Sequence, residues 1–465
     1  MVDYFLSEGH KQVPVRVHHL SQMKQHDNMT KKKNLGGCYH CGSVSHRAKS
    51  CPTVSCRICG EKGHDTGGCP QRPLPPVDLG HFKGNNIIGS SNSHTEGVAR
   101  NKLGRDSFTY IELFAGMGGF RVALDRLGGI CVFASETDRF CVKNYLQNFG
   151  DRPAGDITRI SSARIPNHDL LVGGFPCQPF SSSGNRLGLE DPTGKGVLFR
   201  HVVRVLKEKQ PKGFLLENVR GLYLHDGGNT LSLVVEELEN AGYNVKYELL
   251  DAVRLLPQER CRLYFVGVRS DLKHDEFIFP DFPDLGRGVE DILHKSGELS
   301  NLELEKLKLN ENQLAKVKAQ KYTIEHPEAR FMSDTAVAAK TIQSSYTRYM
   351  VGSQFVPMNI EECGSWRRFS LREVARLQGF PENGFTLCKE RGYHMVGNAV
   401  CPPVIAMIAA KLLINIDDWR ELVNRSDEGW TVAQSLLLDA SPEDSRKVGL
   451  EKKLKSLKSH EEDMI

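Results

Sequence analysis

The tightest constraint on this chain is the passage from Asp169-Leu170-Leu171-Val172 into Gly173-Gly174-Phe175-Pro176-Cys177-Gln178-Pro179-Phe180. The first four residues read as a short buried strand, and the glycines and prolines mark its exit into a loop. Prolines on both sides of Cys177 fix the backbone around it. A cysteine at a strand end stands where open α/β sheets gather ligands and reacting groups. The competing reading is a small buried hydrophobe, the usual state of a free cysteine.

The flanking sequence supplies the rest of an α/β sheet. Phe108 to Leu113 reads as a strand, Phe114-Ala115-Gly116-Met117-Gly118-Gly119-Phe120 as a sharp turn. Phe120, Ala123, Leu124 and Leu127 follow at helical spacing, and Gly128-Gly129 stop that helix. The glycine pattern falls short of the dinucleotide fingerprint and suits a cofactor without a pyrophosphate, its carboxylate held at a helix amino-terminus. Ile130 to Ala134 is a second strand ending at Glu136, where an acid can accept from two ribose hydroxyls. Gly155-Asp156-Ile157 closes a next strand region, with Asp156 able to bind an exocyclic amine. A solvated loop carboxylate is the alternative for either acid, and their order along successive β/α units is the stronger signal.

Beyond Cys177, Ser181 to Gly196 is a polar, glycine-bearing loop suited to closing over a substrate. Val197-Leu198-Phe199 begins a helix, and Phe214-Leu215-Leu216 is a strand ending in Glu217-Asn218-Val219. Glu217 would face Cys177 across the sheet edge. Leu231, Val234, Val235 and Leu238 form another helix ended by Gly242, followed by strands Tyr243 to Leu250 and Leu263 to Val268. Arg260 and Arg262, two apart in an extended segment, share a face and suit a phosphate or a base carbonyl, with a surface ion pair as the alternative.

In order and spacing these pieces resemble the cytosine-5 DNA methyltransferase family from Phe108 to about Ile416, about two-thirds of the chain. The matching motifs are the Phe114–Gly119 turn, Pro176-Cys177-Gln178, Glu217-Asn218-Val219, Gln258-x-Arg260-x-Arg262 and Gly397-Asn398-Ala399-Val400. The resemblance implies a Rossmann-like S-adenosylmethionine-dependent methyltransferase sheet with helices on both faces and a smaller target-recognition domain. It implies that Phe114, Gly116, Gly118, Glu136, Asp156 and Asn398 contact S-adenosylmethionine. Cys177 would be the nucleophile on a cytosine of double-stranded DNA, with Glu217 and Arg262 its partners at the base. Two positions depart from the family: Lys195-Gly196 where Arg-Gly is commoner, and Thr137 where a larger apolar residue would cover the adenine. Both bear on binding strength more than on reaction type. One branch of the family methylates tRNA, which makes a tRNA cytosine-5 methyltransferase the nearest alternative. A non-catalytic nucleic-acid binder is disfavoured because Cys177, Glu217 and Arg262 are all present.

The amino-terminal part differs in kind. Residues 1–36 are rich in His, Gln, Lys and Asn without sustained period, as in a disordered basic tail. Residues 37–71 hold two units of identical spacing, Cys38, Cys41, His46, Cys51 and Cys56, Cys59, His64, Cys69, each Cys-x2-Cys-x4-His-x4-Cys. Three thiolates and an imidazole suit tetrahedral zinc, so two structural Zn2+ ions are expected, each supplying folding free energy on the order of 10 kcal/mol. The pattern resembles the zinc knuckle, a module that holds single-stranded RNA or DNA, with protein contact as the alternative. Tyr39 and Ile58 occupy matching slots for stacking on bases, and Arg47, Lys49, Arg57 and Lys62 are placed for phosphates. From Met1 to Arg105 there are 15 Lys/Arg against 7 Asp/Glu, so the net +4 of the chain hides a basic amino-terminal part and an acidic remainder. A polyanion partner is therefore expected there rather than on the body. Residues 72–106 have linker composition.

Thirteen cysteines, with no basic-then-apolar leader after Met1, fit a reducing intracellular compartment. The longest apolar run, Val404 to Ile416, includes Lys411 and is too short for a bilayer, so no membrane partner is expected. Lys31-Lys32-Lys33 is a candidate nuclear-import signal, and the nucleus is the expected location. The methyltransferase body is expected at 107–269 and 366–418. Between them, 270–365 is the target-recognition region, with a charged helix around Leu302, Leu304, Leu307 and Leu314. Its Thr341-Ile342-Gln343-Ser344-Ser345-Tyr346-Thr347-Arg348-Tyr349 stretch is rich in groups able to reach base edges. Ser370-Leu371-Arg372-Glu373 is a capping box, Pro402-Pro403 open an apolar helix, and 419–465 reads as a weakly ordered tail.

Overall fold

A computed structural model describes residues 107–176, 197–333, 335–349, 352–358, 365–416, 428–441, 447–448 and 450–454. The expected zinc ligands, Cys177 and the loop to Gly196 lie outside these residues. The strands of the body are β1 (Phe108–Leu113), β2 (Gly129–Ser135), β3 (Leu170–Gly174), β4 (Gly213–Val219), β5 (Tyr243–Asp251), β6 (Gln258–Glu259) and β7 (Cys261–Arg269). Six of them form one sheet in the order β2-β1-β3-β4-β7-β5. The first four run parallel, and β7 lies antiparallel between β4 and β5. The connection from β1 leads to β2 on one side while β3 lies on the other. The carboxyl ends of β1 and β3 therefore flank a topological switch point, where such sheets open a binding crevice.

Alternation along the strands loads both faces. Leu171, Phe214, Leu216 and Phe265 point into a core completed by helix α1 (Val197–Lys209) and helix α2 (Asn229–Glu239), through residues such as Val202, Leu206, Val234 and Leu238. Tyr110, Val172, Leu215 and Val266 point the other way, against Gly119–Leu124, Arg139–Phe149 and the apolar helix Pro402–Asn415. Period-two alternation with both faces covered is why β3 and β4 read as nearly continuous apolar runs.

Three expectations change. No strand forms at Gly155-Asp156-Ile157; the Asp156 side chain instead accepts from Thr158 N at 3.0 Å and caps a 3-10 turn, Ile157–Arg159. Competition from such a local bond is how Asp favours caps over strands. The charged helix around Leu302 is two helices, Asn301–Leu307 and Glu311–Lys318, because Ser300–Glu303 and Asn310–Gln313 each build a capping box that restarts the chain. The tail is ordered in part: Glu428–Asp439 is a helix packed on Pro402–Asn415, with Ala433, Leu436 and Leu437 fully buried. Its burial depends on the face of Pro402–Asn415 that it packs against, which the local sequence pattern does not disclose. The capping box at Ser370 is present and opens Leu371–Leu377.

The region 270–365 has a small core, Leu309, Val317 and Phe355, with Phe331 and, from the adjoining segment, Trp366 against them. Phe282, Val289, Ile342 and Tyr346 from the same region belong to the main core. The Thr341 stretch is anchored by strand β8 (Ala339–Lys340), which pairs in parallel with β6. Ile342 and Tyr346 are buried, and the Tyr346 hydroxyl donates to Gln354 O at 2.8 Å. Gln343, Thr347 and Arg348 remain exposed.

Candidate active site

The turn after β1 is built by backbone that few residues tolerate. Phe114, Gly116 and Gly118 all have positive φ, at 57°, 57° and 87°. A Cβ on Gly118 would sit 2.3 Å from the Phe149 ring, so only glycine fits between this turn and the following layer. Glu136, one residue beyond β2, ties the turn in place. Its Oε2 accepts from Gly116 N at 2.8 Å, and its Oε1 accepts from Thr137 N at 2.6 Å and Asp138 N at 2.7 Å. Asp138 in turn caps Arg139–Phe149 and pairs with Arg391 at 2.9 Å.

Beside this turn, at the switch point, lies a cavity of about 640 Å³. Phe114, Gly116, Glu136 and Asn398 line it, as the family resemblance implies. Gly118 and Asp156 do not: Gly118 shapes the turn from behind, and the Asp156 carboxylate is engaged by its own 3-10 turn. Asp138 and Met395, which belong to none of the sequence motifs, also line the cavity, as does Val400 at the end of the Gly397–Val400 motif. Asp138 carries a legible signal, an acid just ahead of a helical run; Met395 carries none.

The other wall of the cavity is the end of β3 and β4. Gly174 and Glu217 are direct neighbours in the parallel ladder. A Cβ on Gly174 would stand 3.3 Å from Glu217 Oε2, so the carboxylate lies close over this glycine. Asn218, whose role the sequence did not disclose, donates from Nδ2 to Phe175 O at 3.1 Å. That bond fastens the Phe175-Pro176 segment, which leads straight into Cys177, to the strand carrying Glu217. Arg262 comes from β7, in register with Val219, and its Nε is 3.2 Å from Glu217 Oε1.

The two arginines take separate partners. Arg262 faces Glu217, whereas Arg260 is buried and donates to Gly397 O at 3.2 Å and Ala399 O at 2.6 Å. The basic pair expected to meet one phosphate or carbonyl is thus divided, because the short break between β6 and β7 falls at Arg260.

Burial pushes the Glu217 carboxyl above the ordinary carboxylate range, against the pull of Arg262 and then Arg260. The thiols of Cys131, Cys141, Cys261, Cys388 and Cys401 are all pushed up, chiefly by burial, Cys401 to about 11 and Cys131 to about 12. A thiol so raised is a poor nucleophile at neutral pH. Among the described residues, no cluster of His, Cys, Asp and Glu could hold a metal ion.

The fold is that of an α/β methyltransferase, with a mixed central sheet and a cavity open at its switch point. The profile of the C-5 cytosine-specific DNA methylases matches residues 108–413. The chain is 37% identical over 314 residues to the Type II methyltransferase M.DsaV of Dactylococcopsis salina, spanning 66% of this chain and 86% of that protein. It is 33% identical over 304 residues to the Type II methyltransferase M.HhaI of Haemophilus parahaemolyticus, spanning 64% and 92%. In fold it is similar to the S. pombe Dnmt2 methyltransferase, with a TM-score of 0.52 at 19% identity over 66% of this chain and 98% of that one. The chain belongs to the C-5 cytosine-specific DNA methylase family, and its activity is S-adenosylmethionine-dependent methylation of cytosine in DNA.

The balance at Glu217 has a measurable consequence. With 13C-labelled glutamate, the Glu217 carboxyl resonance should titrate above the ordinary glutamate value. In Arg262→Met it should move higher still, since the largest opposing charge is gone. An ordinary midpoint in the wild type, or a fall in the variant, contradicts this electrostatic reading.

Proposed function

We propose that the enzyme acts on a cytosine flipped out of duplex DNA, with Cys177 as nucleophile and Glu217 and Arg262 acting on the ring. The observation that carries this reading is the pairing of a buried, pKa-raised acid with an arginine against the segment that ends one residue before Cys177. No cysteine among the described residues has a thiol suited to attack, and Cys177 follows directly on Pro176, which lines the same cavity.

The residues present fit S-adenosylmethionine. The cavity lies within the ~300–1,000 Å³ usual for such ligands. It combines Glu136 and Asp138 with the apolar Phe114, Phe120 and Met395, acids for a ribose and a cationic sulfur and apolar surface for an adenine. Glu136 is then the ribose acceptor, and Asn398 a polar contact. Bound S-adenosylmethionine supplies a methyl group on a positively charged sulfur.

Carbon 5 of cytosine is too weak a nucleophile by itself. Addition of the Cys177 thiolate to carbon 6 forms an S–C bond and moves the C5–C6 π pair onto carbon 5 and the ring. Glu217, whose carboxyl burial raises above its ordinary range, donates a proton to nitrogen 3 and so neutralises the charge that develops there. Arg262 donates to the carbonyl oxygen and fixes the Glu217 carboxyl from the other side. Once carbon 5 carries the methyl group, a water molecule takes its proton, the electron pair re-forms the C5–C6 double bond as the S–C bond breaks, nitrogen 3 returns its proton to Glu217, and Cys177 leaves as thiolate. The reacting edge of a cytosine stacked in a duplex is out of reach, so the base must be extruded first. We assign the 270–365 region to target recognition, with Gln343, Thr347 and Arg348 as the exposed side chains of its Thr341 stretch. Duplex DNA is favoured over tRNA because relatives at 33% and 37% identity are Type II methyltransferases, whereas the Dnmt2 likeness is one of fold.

The test is transfer of labelled methyl from S-adenosylmethionine to duplex DNA, single-stranded DNA and tRNA. Label should enter duplex DNA and fall by at least about a thousandfold in Cys177→Ala, the scale of losing a nucleophile. Transfer confined to tRNA contradicts the substrate assignment, and an active Cys177→Ala contradicts the nucleophile.

For the amino-terminal units we propose one zinc ion each, on Cys38, Cys41, His46, Cys51 and on Cys56, Cys59, His64, Cys69, with single-stranded nucleic acid as the ligand. Elemental analysis of the full chain should find two zinc ions, falling to one in Cys56→Ser/Cys59→Ser. Absence of zinc from the purified wild type contradicts the assignment.

A further inference from the structure

A chain of buried hydrogen bonds joins the Thr341 stretch to the methyl-donor cavity. Gln258, fully buried, accepts from Ile342 N at 3.0 Å through its Oε1. Its Nε2 donates to Leu377 O and to Gln378 Oε1, both at 2.9 Å. Gln378, also fully buried, donates from Nε2 to Ala399 O at 2.6 Å. Arg260 reaches the same carbonyl at 2.6 Å and that of Gly397 at 3.2 Å. Asn398, between those two carbonyls in sequence, lines the cavity.

The two ends also touch directly. A Cβ on Gly397, in the last turn of the helix Gly392–Asn398, would stand 2.6 Å from Ser344 N and 2.7 Å from Gln343 C, so this helix end and the Thr341 stretch are in backbone contact. A side-chain amide buried with both ends engaged cannot lose one partner cheaply, because the freed group has no water to turn to. A shift of the Thr341 stretch therefore propagates to the Ala399 carbonyl rather than being absorbed at Gln258 or Gln378. Arg260 reinforces this: its Nε and Nη1 have no hydrogen-bond partner among the described residues, so its two carbonyl contacts are the hydrogen bonds its side chain makes there, with the Glu217 carboxylate adding opposite charge.

We propose that Gln378 and Arg260 are positioning residues that couple DNA engagement by the Thr341 stretch to occupancy of the methyl-donor cavity, so that each ligand tightens the other. Neither touches a ligand; they act through the carbonyls on either side of Asn398. The inference rests on the assignment of the Thr341 stretch to target recognition. Coupling of this kind is reciprocal and usually amounts to about five- to 150-fold in affinity.

The experiment measures the dissociation constant of S-adenosylhomocysteine by calorimetry, on the full chain, without and with a saturating duplex that the wild type methylates. In the wild type the duplex should tighten S-adenosylhomocysteine by about tenfold or more. In Gln378→Met, which keeps the volume and removes both amide bonds, that ratio should fall below about twofold. Its affinity for S-adenosylhomocysteine without DNA should stay within about threefold of wild type. In turnover, KM for S-adenosylmethionine at saturating duplex should rise while kcat changes less. Thr341→Val removes only the 2.6 Å bond from Thr341 Oγ1 to Glu259 O at the exposed end, and should lower the ratio without endangering the fold. A ratio near one in the wild type, or a wild-type ratio in the folded variants, overturns the proposal. A wild type that methylates no duplex at all condemns the substrate assignment itself, a separate failure seen before any variant is made.

Discussion

A carboxylic acid kept nearly out of water at the end of a parallel strand is the condition on which the site depends. Glu217 is 9% exposed, and its burial follows from the sheet rather than from any local feature. On one side β3 brings Gly174 alongside, with no side chain to displace the carboxyl group. On the other, antiparallel β7 delivers Arg262 within 3.2 Å. Removing the arginine would leave a buried acid uncompensated, and removing the burial would let it ionise as an ordinary glutamate. Burial raises the Glu217 carboxyl above its ordinary range while Arg262 holds it in place, the direction that favours proton donation to a ring nitrogen.

The same sheet sets the distance between the two halves of the reaction. Glu136 follows β2 and Glu217 lies on β4, with β1 and β3 between them, so the two acids line opposite walls of the switch-point crevice, the walls proposed for the methyl donor and for the base. Asn218 binds the carbonyl of Phe175 and keeps the approach to Cys177 on the base-binding wall. The strained turn at Phe114, Gly116 and Gly118 belongs to the other wall, where Glu136 holds it through Gly116 N.

Much of this was legible before any coordinates. Strand ends announced by apolar runs breaking into Gly, Pro or acid, as at Val172-Gly173, Leu216-Glu217 and Ala134-Glu136, are local signals, and the sheet forms there. At Asp156 the pattern reads as a strand end, whereas a capping bond to Thr158 N outcompetes strand pairing, and nothing in the flanking residues weighs the two. The helix Glu428–Asp439 was missed because its burial depends on a partner surface, that of Pro402–Asn415, far from it in pattern though near in sequence. Arg260 and Arg262 look equivalent in the sequence; the strand break at Arg260 and its bonds to Gly397 O and Ala399 O, at the end of the helix Gly392–Asn398, separate their roles. Gln378 gave no sign of its position, since its bonds to Gln258 and Ala399 are long-range contacts with no periodic trace.

The central claim is a covalent bond from one cysteine to the ring, and its most direct test is to trap that bond. A duplex carrying 5-fluorocytosine at methylated positions, incubated with the enzyme and S-adenosylmethionine, replaces the departing C5 proton with fluorine and should arrest the adduct. The account predicts a denaturation-resistant protein–DNA species whose peptide map places the cross-link on Cys177. No such species from protein that binds both partners, or a cross-link on Cys261 or Cys401, would contradict it.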